Sequence, residues 1–218
     1  MSQNEVPSLN DASLTHIGTT VRENGRILLI ACGALAREIL DLKAANHWEH
    51  LDLICLPAIW HIYPDRIVEG VEKSVRTHRA RYEKIFVGYG DCGTGGLLAQ
   101  VCRKLGVEMI SGPHCYSFFE GNDQFAEHNN EITAFYLTDF LVRQFDAFVW
   151  KPLGLDRNPE LLDTYFGHYT KVVYQAQTDD PTLVAVARSH ARRLGLEFEL
   201  RRTRYGDLAT TLQRWAKD

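Results

Sequence analysis

The sequence predicts an α/β protein with a doubly wound, mainly parallel sheet of about six strands and an inserted, aromatic-rich helical segment. Short, continuous apolar runs such as 27–31 are typical of strands that are buried on both faces. Segments with apolar residues at helical spacing follow these runs, and repeated strand–helix units imply parallel strands joined by crossovers. Gly106 and Gly195 each follow a predicted helix, where glycine commonly ends one.

The elements follow in order along the chain. Strands are predicted at 27–31, 51–56, 84–88, 107–110, 171–174 and 196–200. Helices are predicted at 34–45, 64–82, 95–105, 181–194 and 205–215, and the helical insertion spans about 116–169, with helices at 133–150 and 159–169. Residues 1–22 are predicted to be a flexible N-terminal arm, and 23–218 a single α/β domain.

Such a sheet is of the flavodoxin or Rossmann type. A strand order of 2-1-3-4 would place the first, third and fourth strands side by side, whereas 3-2-1-4 would separate the first from the third. The cysteine hypothesis below requires the first order, so the flavodoxin-like arrangement is favoured as its consequence.

Composition excludes several classes of function. The chain has 218 residues, 45% of them apolar and 24% charged, a net charge of −4 and no basic block, so no nucleic-acid or anionic membrane partner is predicted. No apolar run approaches the ~20 residues that span a bilayer. The polar N-terminus lacks a signal pattern, which favours the cytoplasm, and five cysteines there argue against a disulfide framework.

Three cysteines stand where a predicted strand passes into a loop: Cys32, Cys92 and Cys115. The carboxyl ends of parallel strands share one edge of a sheet, and ligands bind in the crevice outside it. We therefore predict that these three thiols hold a metal, either an iron–sulfur cluster or a zinc ion. Cys102 is predicted to be a buried apolar residue. Cys55 also ends a predicted strand, but no glycine follows it, and it is not placed in the site.

The segment Tyr89–Gly96 is the strongest local signal, with glycines at Gly90, Gly93, Gly95 and Gly96. Glycine permits positive φ and lets backbone N–H groups approach a ligand, so these four residues are predicted to bind the cofactor. The spacing matches neither a phosphate loop nor a dinucleotide fingerprint. Asp91 is a predicted acid–base residue, and Cys92 is expected at a helix N-terminus that lowers the pKa of its thiol.

Two histidines and one carboxylate are further candidates. His114, beside Cys115, is predicted to act in acid–base chemistry or outside the metal's ligands. His61 follows the second strand and so shares the same sheet edge, where a ligand role and a structural role are both open. Glu38 is a candidate carboxylate that would equally suit a solvated helix face.

Five motifs together resemble an uncharacterised family, the bacterial and archaeal domain-of-unknown-function family sixteen thirty-eight. They are Ala31-Cys-Gly-Ala-Leu-Ala-Arg-Glu-Ile, Tyr89-Gly-Asp-Cys-Gly-Thr-Gly-Gly, Gly112-Pro-His-Cys-Tyr, Leu137-Thr-Asp-Phe-Leu and Leu153-Gly-Leu-Asp-Arg-Asn-Pro-Glu-Leu. The resemblance spans about 27–212. Genes of this family often stand beside those of corrinoid-dependent methylamine and betaine methyltransferases, which implies one-carbon or methylated-amine metabolism and assigns no reaction.

The expected function is that of a metal-dependent enzyme, of a methyltransferase, lyase or hydrolase type, acting on a small-molecule substrate. Two alternatives stay open. One is a non-catalytic accessory protein that binds a corrinoid, a corrinoid protein or a methyltransferase. The other is a metal-free enzyme with Cys92 as nucleophile and His114 as its partner. A homo-oligomer is also left open.

Overall fold

Two β-sheets form the framework of the protein, in a computed structural model that describes residues 9–128 and 131–217. The first sheet has five strands in the order β1-β3-β2-β4-β5. They are Thr19–Val21 (β1), Ile27–Cys32 (β2), Leu51–Leu56 (β3), Lys84–Gly88 (β4) and Glu108–Met109 (β5). β1 runs antiparallel to β3, and the other pairs are parallel. The four strands predicted first along the chain therefore lie in the expected 2-1-3-4 order.

The second sheet has three parallel strands in the order β6-β7-β8. They are Ala134–Thr138 (β6), Lys171–Ala176 (β7) and Glu197–Arg202 (β8). The prediction of one sheet of about six strands is therefore not confirmed. The strands predicted at 171–174 and 196–200 exist, but they pair with β6 and not with the first sheet.

Ten α-helices connect and cover these strands in the described part of the chain. They are Asp11–His16 (α1), Ala36–Ala45 (α2), Pro64–His78 (α3), Leu97–Leu105 (α4), Cys115–Glu120 (α5), Asn122–Glu127 (α6), Asp139–Arg143 (α7), Leu162–Phe166 (α8), Pro181–Leu194 (α9) and Gly206–Trp215 (α10). Short 3-10 turns cover Gly33–Leu35, Ala58–Ile62 and Pro159–Leu161, and a π-helical turn covers Asp146–Trp150. Within residues 9–128 and 131–217, no helix has the length and apolar character needed to cross a bilayer.

The segment expected to be a flexible arm carries regular structure in its described part, residues 9–22. α1 buries Leu14, which is 1% exposed, and Arg37 holds Asp11 through a salt bridge of 2.9 Å. The polar residues that predicted an arm lie in part on a helix that has one buried face. β1 follows this helix and adds an edge strand to the sheet. Residues 1–8 of the predicted arm lie outside the described residues.

The insertion predicted to be helical contains a strand. Residues 134–138 form β6 because they pair along their length with β7, and tertiary pairing overrides the helical spacing of their aromatic residues. Thr138 then caps α7, since its hydroxyl accepts a hydrogen bond from the Leu141 amide. The helix predicted at 133–150 is thereby divided into a strand, a short helix and a π-helical turn.

Each sheet has its own apolar core. The larger core surrounds the first sheet, whose central strand β2 is buried along its whole length. The smaller core surrounds the second sheet and takes in α9 and the π-helical turn. Side chains that belong to the regions of both sheets line a common cavity near the carboxyl ends of β2 and β6, and Cys115 is one of them.

Candidate functional site

Cys32 is the last residue of β2 and is held at the centre of the first sheet. Its side chain is 3% exposed, and its sulfur accepts a hydrogen bond from the Ala34 amide at 3.3 Å, which caps the following 3-10 turn. The neighbouring Gly33 has no room for a side chain, because a Cβ there would stand 2.3 Å from the Leu14 carbonyl oxygen. The N-terminal helix therefore closes over the turn that positions Cys32.

Cys92 is placed by pairing between two loops. The Asp91 amide donates to the Gly112 carbonyl at 3.0 Å, and the Cys92 amide donates to the Pro113 carbonyl at 2.9 Å. Gly90 allows this approach, since a Cβ there would stand 2.7 Å from the Gly112 oxygen. These contacts hold the loop after β4 against the loop that leads to Cys115.

The backbone of Cys92 is itself unusual, with φ at 48°. Residues other than glycine rarely adopt this left-handed conformation, which costs about 1–2 kcal/mol. If this backbone conformation served folding alone, glycine would suit position 92, as it suits position 93. A strained cysteine in a glycine-rich loop is typical of a thiol that serves a site.

The Asp91 carboxylate is occupied by its own loop. It accepts hydrogen bonds from the Gly96 amide at 2.6 Å, the Gly95 amide at 3.1 Å and the Thr94 hydroxyl at 3.0 Å. These bonds, led by that from Gly96, hold the pKa of Asp91 below its ordinary value. The structure thus gives Asp91 a positioning role, and its predicted acid–base role stays a prediction.

The glycine loop differs from expectation in one respect. α4 begins at Leu97, five positions beyond Cys92, so Cys92 does not stand at a helix N-terminus. The amides of Gly95 and Gly96 at that end of the loop bind Asp91, while a Cβ at either glycine would meet nothing within 4 Å. The cofactor-binding role predicted for Gly90, Gly93, Gly95 and Gly96 stays a prediction.

The three predicted cysteines line one cavity. Cys115 is the first residue of α5, and it faces the same void as Cys32 and Cys92. The void measures about 10 Å³, roughly the space of a single water molecule. His61 and Tyr89 complete the polar part of its wall.

Burial and mutual repulsion disfavour free thiolates in this cluster. Burial raises the pKa of Cys32 to about 12. Burial also raises the pKa of Cys115, and negative charge on Cys92 and Cys32 raises it further. Without a compensating positive charge, Cys32 and Cys115 therefore remain protonated at neutral pH.

His61 brings an imidazole to the thiols. Its Nδ1 lies 3.0 Å from the Ala58 carbonyl oxygen and 3.7 Å from the Cys32 sulfur. Because a carbonyl only accepts, Nδ1 carries the hydrogen, and in the neutral ring Nε2 keeps its lone pair. Burial lowers the pKa of His61, but the nearby Cys92 thiol and the bond to Ala58 outweigh it and raise the pKa overall.

Tyr89 is the residue of this site to which the sequence assigned no role. Its side chain is 1% exposed and stacks on the His61 ring at 6.3 Å between centroids. Its buried hydroxyl makes no hydrogen bond of regular geometry among the described residues, but it lies close enough to the Cys32 thiol to lower the pKa of Cys32. The hydroxyl is thus only weakly satisfied, and a ligand in this cavity would give it a better partner.

The other candidates lie around the cluster. The His114 ring packs edge-on against Tyr116 and Phe125, both at 5.5 Å, and it does not line the thiol cavity. Burial lowers the pKa of His114. Glu38, taken from sequence alone as equally suited to a solvated face, is 4% exposed and has an unpartnered carboxylate oxygen.

The two cysteines left out of the site are buried. Cys102 is 2% exposed in α4, as expected of an apolar core residue. Cys55 is 3% exposed in β3, beside Ala31 of β2, and it is close enough for the charge of Cys32 to raise its pKa in addition to burial.

The types of donor atom in the cluster suit a thiophilic metal, but the arrangement of the side chains does not. Three thiols and one imidazole form a soft ligand set. The hydrogen bond from the other imidazole nitrogen to a backbone carbonyl is the contact that usually orients a metal-binding histidine. However, within residues 9–128 and 131–217, no group of three or more His, Cys, Asp or Glu side chains has the arrangement of a metal site. Metal binding would thus need the side chains around the small void to move.

Comparison with known proteins places the chain in a family. The family model described as "Protein of unknown function (DUF1638)" matches residues 55–212, so the chain belongs to this family. The matched span includes Cys92 and Cys115 and begins after Cys32. No curated protein and no solved structure matches the chain.

Proposed function

We propose that this member of a family of unknown function is a metal-dependent enzyme in which Cys32, Cys92 and Cys115 hold an iron–sulfur cluster or a zinc ion. The observation that carries the proposal is the meeting of these three thiols at one small cavity, on the edge of a parallel sheet where ligands bind. Cysteines that are buried only for packing would have no need to come from three separate loops to one cavity.

The charge balance of the cluster supports a cation. Thiolates are the form of cysteine that binds metal, and burial raises the pKa values of Cys32 and Cys115 in a cavity whose described lining residues include no lysine or arginine. A metal ion or cluster supplies positive charge and replaces the thiol protons, so its affinity should rise with pH. The Tyr89 hydroxyl, beside the Cys32 thiol, would then donate to that sulfur.

The chemistry of the bound group depends on its identity. Zinc on three thiolates supplies a Lewis acid with one open position, and a four-iron cluster on three cysteines leaves one iron free. His61 and Cys115 line both the thiol cavity and a larger apolar cavity, so substrate would approach the cluster from that larger cavity. The family resemblance supports a setting in one-carbon or methylated-amine metabolism.

A second candidate function is that of a metal-free thiol enzyme. One observation favours it: His61 and Cys92 line the same small cavity, and the contact between them raises the pKa of His61, as in a thiol–imidazole pair. In this case His61, and not the predicted His114, would be the partner of the nucleophile Cys92. The strained backbone at Cys92 suits either candidate.

Metal analysis separates the two candidates. The protein is purified without oxygen, and iron, acid-labile sulfide and zinc are measured in the wild type and in Cys92→Ser, Cys115→Ser and Cys102→Ser. The proposal predicts at least one stoichiometric metal in the wild type, its loss in the first two variants and its retention in Cys102→Ser. Circular dichroism shows that each variant is folded.

Two results would overturn the metal proposal. One is a folded wild type without stoichiometric metal, even after reconstitution with iron and sulfide or with zinc. The other is full metal retention in Cys92→Ser. In the first case, faster alkylation of Cys92 in the wild type than in His61→Asn would support the thiol enzyme.

A further inference from the structure

A second, larger cavity of about 270 Å³ adjoins the thiol cluster and lies between the two sheets. His61, Cys115 and Ala34 belong to the walls of both this cavity and the thiol void. A molecule in the larger cavity would therefore reach the cluster without crossing another layer of side chains. Its volume is that of a small molecule, so the ligand is small.

The wall of this cavity is apolar and largely aromatic. The remaining apolar side chains come mostly from the second half of the chain: Tyr116, Phe135, Phe140, Phe148, Val149 and Leu153. The Thr138 hydroxyl also lines it, but that oxygen already accepts the amide of Leu141 at 3.3 Å. The titratable side chains among the described lining residues are His61, Cys115 and Tyr116, and none of the described lining residues is Asp, Glu, Lys or Arg.

We infer that this cavity binds a small, uncharged and mainly apolar molecule, with its polar atom directed to the Cys115 and His61 end. This inference rests on the proposed function, because it treats the thiol cluster as the reacting end of the cavity. The class of ligand follows from the residues that line the cavity. Burying an ion without an opposite charge costs far more free energy than one hydrogen bond recovers.

Charged ligands are disfavoured for separate reasons. A carboxylate or phosphate would find neither lysine nor arginine among the lining residues. A quaternary ammonium group would gain from the aromatic faces. However, it would find no aspartate or glutamate among the described lining residues.

An isosteric series tests the charge preference. The three probes are choline, its uncharged carbon analogue in which tert-butyl replaces trimethylammonium, and the anion tert-butylacetate. Binding to the full-length protein is measured by ligand-observed NMR titration. The inference predicts saturable binding of the uncharged probe, at least tenfold tighter than that of either ion.

Matched variants locate the binding. Leu153→Trp fills the cavity, whereas Leu97→Trp adds the same side chain at a position that is 49% exposed and outside the lining. Binding of the uncharged probe should be lost in Leu153→Trp and kept in Leu97→Trp. A fold check by circular dichroism accompanies both variants.

The outcomes separate this inference from the proposed function. Choline binding as tightly as the uncharged probe, or no saturable binding of the uncharged probe to metal-loaded protein, would overturn the inference and leave the metal site standing. Binding of the uncharged probe to a wild type that takes up no metal would keep the ligand class and overturn the metal proposal. Binding retained in Leu153→Trp would show that the probe occupies another place.

Discussion

Glu38 offers a quantitative test of the electrostatics beside the site. Its side chain is 4% exposed, and its Oε2 has no hydrogen-bond partner. Burial raises its pKa from 4.5 to about 7, while the Arg143 charge opposes part of that rise. The folded protein therefore keeps a proton on this carboxyl that the unfolded chain releases.

The sign of the effect on stability follows from this difference. A raised pKa means that the folded state binds the proton more tightly, so Glu38 favours folding at low pH. That contribution is lost as the pH rises from 4.5 through about 7. At about 1.4 kcal/mol for each pKa unit, the full loss is about 3 kcal/mol, of which most occurs between about pH 5 and pH 8.

The substitution Glu38→Gln removes the titration and keeps the shape of the protonated side chain. We expect the free energy of unfolding of Glu38→Gln, relative to the wild type, to rise by about 2–3 kcal/mol between about pH 5 and pH 8. Urea denaturation at both pH values measures it. Glu69→Gln, which changes an exposed glutamate of α3, is the matched control and should show no such pH-dependent gain.

A constant stability difference between Glu38→Gln and the wild type at both pH values would contradict a raised pKa of Glu38 in the folded protein. It would mean that Glu38 does not hold its proton in the folded protein. The same result would remove Glu38 as a source of negative charge that changes near the thiols around neutral pH.

Four further predictions concern the frame of the site. Tyr89→Phe should change the free energy of unfolding of the ligand-free protein by no more than about 1 kcal/mol, because the hydroxyl that it removes makes no hydrogen bond of regular geometry and interacts only weakly with the Cys32 thiol; urea denaturation measures this. Asp91→Ala should cost about 1–2 kcal/mol at neutral pH and less as the pH falls through the lowered pKa of Asp91, so the stability difference is measured from neutral to acidic pH. Gly33→Ala should lower the thermal midpoint by several degrees, because its Cβ would stand 2.3 Å from the Leu14 carbonyl oxygen. Cys102→Ala should leave metal content unchanged and cost about 1–2 kcal/mol, since it removes only a buried sulfur.

The meeting of the three cysteines was predictable because of a rule of topology. Each stands in or near the turn that follows a strand of the first sheet, and parallel strands end at one edge. Strong apolar runs located those strands, and the glycines marked the turns. The role of the cysteines as metal ligands stays a prediction.

Other features of the site depend on contacts that sequence spacing does not show. The strand β6 exists because β7 pairs with it, and the following helix begins at Asp139 because the Thr138 side chain caps it. Asp91 binds the amides of its own loop, a contact that requires the turn to form first. Tyr89 became a site residue through the position of its buried hydroxyl, which nothing in the motif distinguishes from core packing.

X-ray absorption at the metal edge of the anaerobically purified protein identifies the atoms that bind the metal. A three-cysteine site predicts three sulfur neighbours from the chain at about 2.3 Å from zinc, or a cluster spectrum with iron–sulfur and iron–iron distances. Cys115→Ser should abolish the signal because the metal is lost, while Cys102→Ser should leave the spectrum unchanged. A metal surrounded only by nitrogen and oxygen, or a spectrum that Cys115→Ser does not alter, would contradict the three-cysteine site.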